Sequence, residues 1–334
     1  MTKVLVTGGA GFIGSNYVHF HSEKHPEDKI VVLDKLTYAG NLPNIEVLIV
    51  NSKISFVQGD IVDLKFLRAL FDKEKFDTVI NFAAESHVDR SIKEPEIFVL
   101  TNIVGTHNLL MCAKEFGVTR YHQVSTDEVY GDLGDNSVNF FTETTSIAPN
   151  CPYAAAKASA DLLVRAYFET YQFPATISRC SNNYGPYQFP EKLIPFFFKL
   201  ATNGESLPIY GDGKNVRDWL YVEDHCQAID LIVQSKNYGE VYNIGGHNEK
   251  NNLEIATLIL NFLGKDPNNL KYVVDRKAHD RRYAIDPTKI GRDLGWKPGI
   301  KFEDGIVKTF DWYKNNQDWI KSTESRLLNF VEEK

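Results

Sequence analysis

An α/β fold, with a doubly wound parallel sheet and a smaller mixed lobe, is what this sequence predicts, and three observations carry that expectation. Short apolar runs alternate with helical patterns through the first half of the chain. A glycine-rich turn sits between the first apolar run and the first helical pattern. After about Cys180 the sequence becomes rich in turns and aromatic residues, and its elements shorten.

Taken in order, Lys3 to Thr7 reads as a buried strand and Gly14 to about Lys24 as a helix. Lys29 to Asp34, Ile54 to Gln58 and Thr78 to Ala83 are further short strands. Between the last two, Leu64, Leu67, Leu70 and Phe71 recur at helical spacing and predict a helix over Leu64 to Glu74. Tyr121 to Ser125 and Ala175 to Arg179 continue the series. Helices between successive strands act as crossovers, so the sheet is expected to be parallel and covered on both faces, a Rossmann-type arrangement. That domain is expected over residues 1–180. Residues 181–334 are expected mainly to form a smaller mixed α/β substrate-binding lobe, with segments near 219–246 returning to the first domain. No repeat or linker separates the two, which predicts interlocked lobes with a ligand cleft between them.

A formal net charge of −7 gives no global attraction to nucleic acid or to an acidic membrane surface, so neither is an expected partner. Cys112, Cys151, Cys180 and Cys226 lie far apart, without CxxC or Cys/His metal spacing. Buried thiols in a reducing compartment are expected, and no metal site. The opening "MTKVLVTGG" goes straight into a strand pattern, and no apolar run is read as membrane-spanning. A cytoplasmic location is expected.

"TGGAGFIG" holds Gly8, Gly11 and Gly14 around Phe12 and Ile13, after a strand and at the start of a helix. Such glycines allow a tight turn and close approach to a pyrophosphate at the positive helix N-terminus. Asp34 ends the next strand, 20 residues after Gly14, where a carboxylate can accept from the adenosine ribose hydroxyls. An acid there disfavours a 2′-phosphate, so NAD is expected over NADP; Lys35 beside it is the contrary hint. Topology places Asp60 and Ile61 at the end of the third strand. It places Phe82, Ala83, Ala84, Glu85 and Ser86 at the end of the fourth, both along the ligand crevice of such a sheet.

Tyr153 and Lys157 stand four apart at the start of a helical pattern and share one face. A phenol titrates near ~10, and a neighbouring ammonium with a positive nicotinamide would lower that value. "VSTDEVYG" follows a strand, so Thr126 falls at the sheet edge, able to bond a substrate hydroxyl or the tyrosine oxygen.

These strings together resemble the extended short-chain dehydrogenase/reductase family, and within it the dTDP-glucose 4,6-dehydratase group. The resemblance runs to about Trp312 and is carried by "TGGAGFIGSN", "LDKLTYAGN", "NFAAESHVDRSI", "STDEVYG", "PYAAAKASAD", "RCSNNYGPYQFPEKLIP", "GDGKNVRDWLYVEDH" and "DRRYAID". It implies Tyr153 as the base that takes the C4 hydroxyl proton of a nucleotide-linked hexose while hydride passes to NAD and later returns to C6, Glu128 as the base at C5 and Asp127 as the acid at C6. Two neighbouring carboxyl groups can share such work if their surroundings push their pKa values apart. An NAD-dependent 4-epimerase of UDP-sugars is the nearest rival reading, and a catalytically silent sugar-nucleotide sensor a more distant one. The acid pair after Thr126 speaks against the first, and the full set of site residues against the second.

The resemblance also adds Leu36, Thr37, Thr101 and Asn183 to the cofactor set, alongside Tyr153 and Lys157. For the nucleotide diphosphate, cationic candidates are Arg217, Arg276 and His279. Ser86, Thr126, Asn182, Lys192, Leu193, Pro208, Ile209, Tyr210 and Asn252 are the further substrate positions it implies. One departure stands out: Lys277-Ala278 precedes His279 where Pro-Gly is expected, which predicts a differently shaped loop with an added charge. Family members pair as homodimers through helices of the cofactor domain, here expected at Pro95 to Phe116 and Tyr153 to Tyr171.

Overall fold

The computed structural model describes residues 1–135 and 138–323. The tail 324–334, placed at the end of the second lobe by the sequence, lies outside the described residues. Twelve strands are labelled in chain order: β1 Lys3–Thr7, β2 Lys29–Asp34, β3 Ile54–Gln58, β4 Thr78–Asn81, β5 Arg120–Thr126, β6 Ala175–Cys180, β7 Asn182–Tyr184, β8 Leu207–Tyr210, β9 Val216–Tyr221, β10 Val241–Ile244, β11 Glu249–Asn251 and β12 Leu270–Val273.

Seven of them form one sheet in the order β10-β6-β5-β4-β1-β2-β3, every neighbouring pair parallel. Period-2 alternation explains its two covered faces. Leu5, Val31, Leu33 and Val79 point into one apolar layer with Leu67, Phe71 and Leu109 from helices. Val4, Val6, Val32 and Ile80 point into the other, against Val18 of the helix Phe12–Lys24 and Cys226 and Ile229 of the helix Val222–Gln234. The chain leaves β1 toward β2 and β3, then returns to put β4 on the other side of β1. That reversal opens a crevice at the carboxyl ends of β1 and β4, where ligands bind in such sheets.

The later strands build two small sheets, β11-β9-β7 and β12-β8. They enclose an apolar core of their own, rich in large side chains such as Tyr184, Phe197, Phe198, Trp219, Phe302 and Phe310. β7 follows β6 after a single residue, so this lobe starts where the large sheet's carboxyl edge ends.

One helical run differs from the expectation of no membrane-length apolar segment. Pro95–Glu115 is 21 residues long and holds an 18-residue stretch of mean hydropathy 1.2, enough to cross a membrane by length and composition alone, and half of that stretch is buried in the fold. Its middle, Val99–Gly105, is π-helical, and the run packs against the helix Pro152–Tyr171.

Candidate active site

The glycine turn is shaped for close approach. Gly8 has φ +67°, and a Cβ there would lie 2.6 Å from the Ala83 backbone nitrogen at the end of β4. A Cβ on Gly14 would lie 2.2 Å from the Gly8 carbonyl oxygen. Neither position accepts a side chain without moving backbone, so turn, helix start and crevice are set together. Gly11 is the residue before the helix, leaving that N-terminus without a side-chain cap and free to meet an anion.

Asp34 is buried at the end of β2. Its carboxylate accepts from Ala10 N at 3.0 Å and Leu36 N at 2.8 Å, which fixes it against the glycine turn. Lys35, the cation that could have welcomed a 2′-phosphate, is paired with Asp60 at 2.7 Å. Its charge is thereby matched, and the pair of acids at the ribose end suits NAD. Gly8, Gly11, Phe12, Ile13, Gly14, Asp34, Lys35, Thr37, Asp60, Ile61, Phe82, Ala83, Ala84, Ser86, Thr101, Tyr153, Lys157 and Asn183 all line one continuous cleft. Leu36 does not: at φ +57° its side chain packs into the apolar layer that holds Ile45.

The reacting end lies where β5 and the helix Pro152–Tyr171 meet. Thr126 caps a short turn over Asp127–Tyr130, accepting from Glu128 N at 3.3 Å, so β5 delivers three functional residues in succession. Pro152 at the first helical position starts the helix that carries Tyr153 and Lys157. Both are buried, and the Lys157 ammonium donates to the Val124 carbonyl at 2.6 Å. Asp161, itself paired with Arg179 at 2.9 Å, is the opposite charge that sustains Lys157 against burial.

The expected lowering of the phenol by lysine is not what the protein alone produces. Burial first, then the Glu128 carboxylate, push the Tyr153 pKa well above its ordinary value, with a Thr126 hydrogen bond opposing them. Burial also lowers Lys157. A dry site penalises phenolate unless a positive charge arrives with the ligand.

The two acids are unequal. Asp127 is 2% exposed, with one carboxyl oxygen lacking a partner. Burial, then Glu128 and Asp218, raise its pKa well above the usual carboxylate range. Glu128 is half-buried; burial raises it too, but Arg276, Arg217 and Lys192 pull it back toward the ionised form. Asp127 is therefore suited to hold a proton and Glu128 to take one.

Asp127→Asn should expose the cost of this arrangement. A carboxyl whose folded pKa exceeds its unfolded one contributes stability below the unfolded pKa and loses that contribution as pH rises through the folded value. The variant should melt above wild type near pH 8, with the advantage shrinking toward pH 4. A melting-temperature difference that does not vary with pH would contradict it.

Substrate candidates fall into two groups. Ser86, Thr126, Asn182 and Lys192 line the cleft with the acids. Arg217 lies just beyond, buried, donating to Val216 O at 2.7 Å and Asp280 O at 3.0 Å, with its guanidinium over the Tyr283 ring. Arg276 is close enough to depress it further, so the two cations form one positive site. His279 Nδ1 donates to Asp275 Oδ1 at 2.6 Å, and the ring faces the edge of exposed Tyr210. Leu193, Pro208, Tyr210 and Asn252 are outside the cleft lining, and the Ile209 side chain is 1% exposed within the lobe's apolar core. Burial leaves Ile209 only its backbone to offer a ligand.

Ala278 sits at φ +50°, the left-handed conformation that favours the expected glycine. Ala278→Gly should stabilise the protein by about 1 kcal/mol, read as a higher melting temperature, with turnover retained. A lower melting temperature would show that the loop does not carry this strain.

Sequence reasoning missed Glu191 and Gln188, which also line the cleft. Tyr38 donates to Glu191 at 2.9 Å, Lys192 donates to the Ser86 carbonyl at 2.8 Å, and Asn16 donates to the Pro186 carbonyl at 2.9 Å. Segment 186–192 is thus tied across the cleft to the cofactor domain. The segment lies within the string "RCSNNYGPYQFPEKLIP" that carries the resemblance, but nothing in its spacing singled out Gln188 or Glu191.

Comparison with known proteins agrees with this geometry. The family model described as GDP-mannose 4,6 dehydratase matches residues 5–309. The dTDP-glucose 4,6-dehydratase of Salmonella typhimurium is 49% identical, over 97% of this chain and 96% of the relative. That of Neisseria meningitidis serogroup B is 48% identical, over 96% and 95%. Among solved structures, the Streptomyces venezuelae dTDP-glucose 4,6-dehydratase with NAD and dTDP bound has a TM-score of 0.92 at 46% identity, covering 96% of this chain and 99% of that one. The Thermotoga maritima UDP-glucose 4-epimerase reaches 0.87 at 31% identity, covering 94% and 99%. The chain belongs to the nucleotide-sugar 4,6-dehydratases of the extended short-chain dehydrogenase/reductase family, in the dTDP-glucose 4,6-dehydratase group.

Proposed function

We propose that this chain converts dTDP-glucose to dTDP-4-keto-6-deoxyglucose and water, as an NAD-dependent hydro-lyase. The observation that carries the reading is the adjacent pair Asp127 and Glu128 beside Tyr153: burial raises both acids, and the cations around Glu128 oppose that rise. The fold alone does not decide, because a UDP-glucose 4-epimerase shares it.

Tyr153 is assigned to take the C4 hydroxyl proton, with Thr126 bonding the phenol oxygen and Lys157 anchored beneath. The chemistry that NAD supplies when bound is reversible storage of one hydride between C4 and C6. The 4-ketone so formed acidifies the C5 proton, which passes to Glu128. Asp127 gives its proton to the C6 hydroxyl as the C–O bond breaks, and water leaves. Glu128 then returns its proton to C5 as the hydride taken from C4 would come back to C6, which leaves a C6 methyl and the 4-ketone; the proton taken by Tyr153 replaces, through solvent, the one Asp127 gave. Arg217 and Arg276 supply positive charge for the diphosphate.

The test is incubation with dTDP-, UDP-, GDP- and CDP-glucose, followed by mass spectrometry for loss of water and by the alkali-induced absorbance of a 4-keto sugar. Water loss from dTDP-glucose in preference to the others is the expected result. Conversion to dTDP-galactose without a keto sugar would replace this reading with epimerisation.

A homodimer is the proposed assembly. Val99, Leu100 and Val104 on one helical run and Leu162 on the helix beside it are all more than a third exposed, an apolar face larger than isolated surface residues explain. Leu162→Glu should shift micromolar protein from dimer to monomer in sedimentation velocity. An unchanged dimer would exclude this face.

A further inference from the structure

Among the described residues, one compact group of metal-ligating side chains lies outside the active site: His21, His25 and Asp230. His21 and His25 are four apart at the end of the helix Phe12–Lys24, so their rings project from the same side. Asp230 reaches them from the helix Val222–Gln234, which packs against the first. The group sits about 15–20 Å along the helix from the glycine turn.

We propose that His21 Nδ1, His25 Nε2 and Asp230 Oδ1 form a binding site for a divalent transition-metal ion of the zinc type. The Asp230 oxygen is 2.8 Å from His25 Nε2 and 4.0 Å from His21 Nδ1, and the three donor atoms lie within 4.8 Å of one another. Ligands about 2.0–2.1 Å from a tetrahedral zinc stand about 3.3 Å apart, so these separations bracket what is needed. Small rotations of the two rings close the difference.

The outer groups fit as well. His21 Nε2 is 3.3 Å from Asp28 Oδ2, while the other Asp28 oxygen accepts from Thr2 N at 2.7 Å. A carboxylate on the far ring nitrogen fixes the tautomer that leaves Nδ1 free to ligate. Asp230 is 2% exposed, so this ligand is held in a dry place. Its other oxygen pairs with Lys24 at 3.0 Å, and Lys24 is 46% exposed. That ammonium competes with the metal and can swing into solvent when the ion enters. The fourth position falls to water or to the Tyr17 hydroxyl, 3.3 Å from His21 Nδ1. Soft or borderline ions are favoured over Mg2+ or Ca2+, because two of the three ligands are imidazoles.

The ion would join the end of the cofactor-binding helix to its neighbour, a stabilising role separate from the chemistry at Glu128. The experiment uses the purified holoenzyme dialysed against EDTA and titrated with ZnCl2 or CoCl2 alone. One equivalent should bind, with visible absorption typical of four-coordinate Co2+ and a rise in melting temperature. His25→Ala should abolish both responses while dehydratase activity is kept. Asp28→Asn, which leaves the ligands intact, should weaken binding about 10–100-fold. If wild type and His25→Ala take up zinc alike, or wild type gains neither absorption nor stability at millimolar metal, the proposal fails.

Discussion

Glu128→Gln is expected to stop exchange of the C5 hydrogen with solvent and to lower turnover about 10²–10⁴-fold, the range for losing a positioned base. Oxidation at C4 does not use Glu128, so the variant should still bind and oxidise the sugar and then stall before water leaves. Deuterium incorporation at C5, followed by mass spectrometry in D2O, reads the step directly. Exchange at the wild-type rate would remove Glu128 from the base role. The same variant tests the coupling between the acids. Glu128 is the second cause of the raised Asp127 pKa and the second cause of the raised Tyr153 pKa. Without that charge both values should fall, so whatever activity depends on protonated Asp127 should be lost at lower pH than in wild type.

Tyr153→Phe should lower turnover by a similar factor, but at the other end of the reaction. Without the phenol no ketone forms from dTDP-glucose, and C5 of that substrate should not exchange. The product already carries a 4-ketone, so its C5 hydrogen should continue to exchange through Glu128 in this variant. That contrast separates the two bases. Loss of product exchange in Tyr153→Phe would mean that Tyr153 also prepares the C5 step or holds the sugar in place.

The first half of the chain was legible because its signals are local. Apolar runs gave the strands through β6, with β1, β2 and β3 at the expected limits and β5 extended to Arg120–Thr126. The glycine turn could be read because turn, helix start and Asp34 lie within one β-α-β unit. The second lobe was less readable for a physical reason. β7 and β11 are three residues long, and β8 pairs with β12 across some sixty residues of sequence, too short and too distant for periodicity to register. The same distance hid Glu191, whose partner Tyr38 is 153 residues away. The inequality of the acids came only through the family resemblance: Asp127 and Glu128 are neighbours in sequence, and in the fold they differ by the fuller burial of Asp127 and the cations Arg276 and Lys192 beside Glu128.

The segment tied across the cleft by Glu191, Lys192 and Pro186 bears on how the protein meets the rest of the cell. Its hydrogen bonds reach Tyr38 after β2, Ser86 after β4 and Asn16 on the helix behind the glycine turn, so it straps the second lobe to the side expected to hold the dinucleotide. A dinucleotide held under such a strap would leave more slowly than the sugar, which could come and go many times for each of its departures. Such an enzyme is insulated from the redox poise of its surroundings: its rate should stay constant as free NADH is raised against NAD. Glu191→Gln would loosen the closure, and steady-state turnover should then begin to follow that ratio.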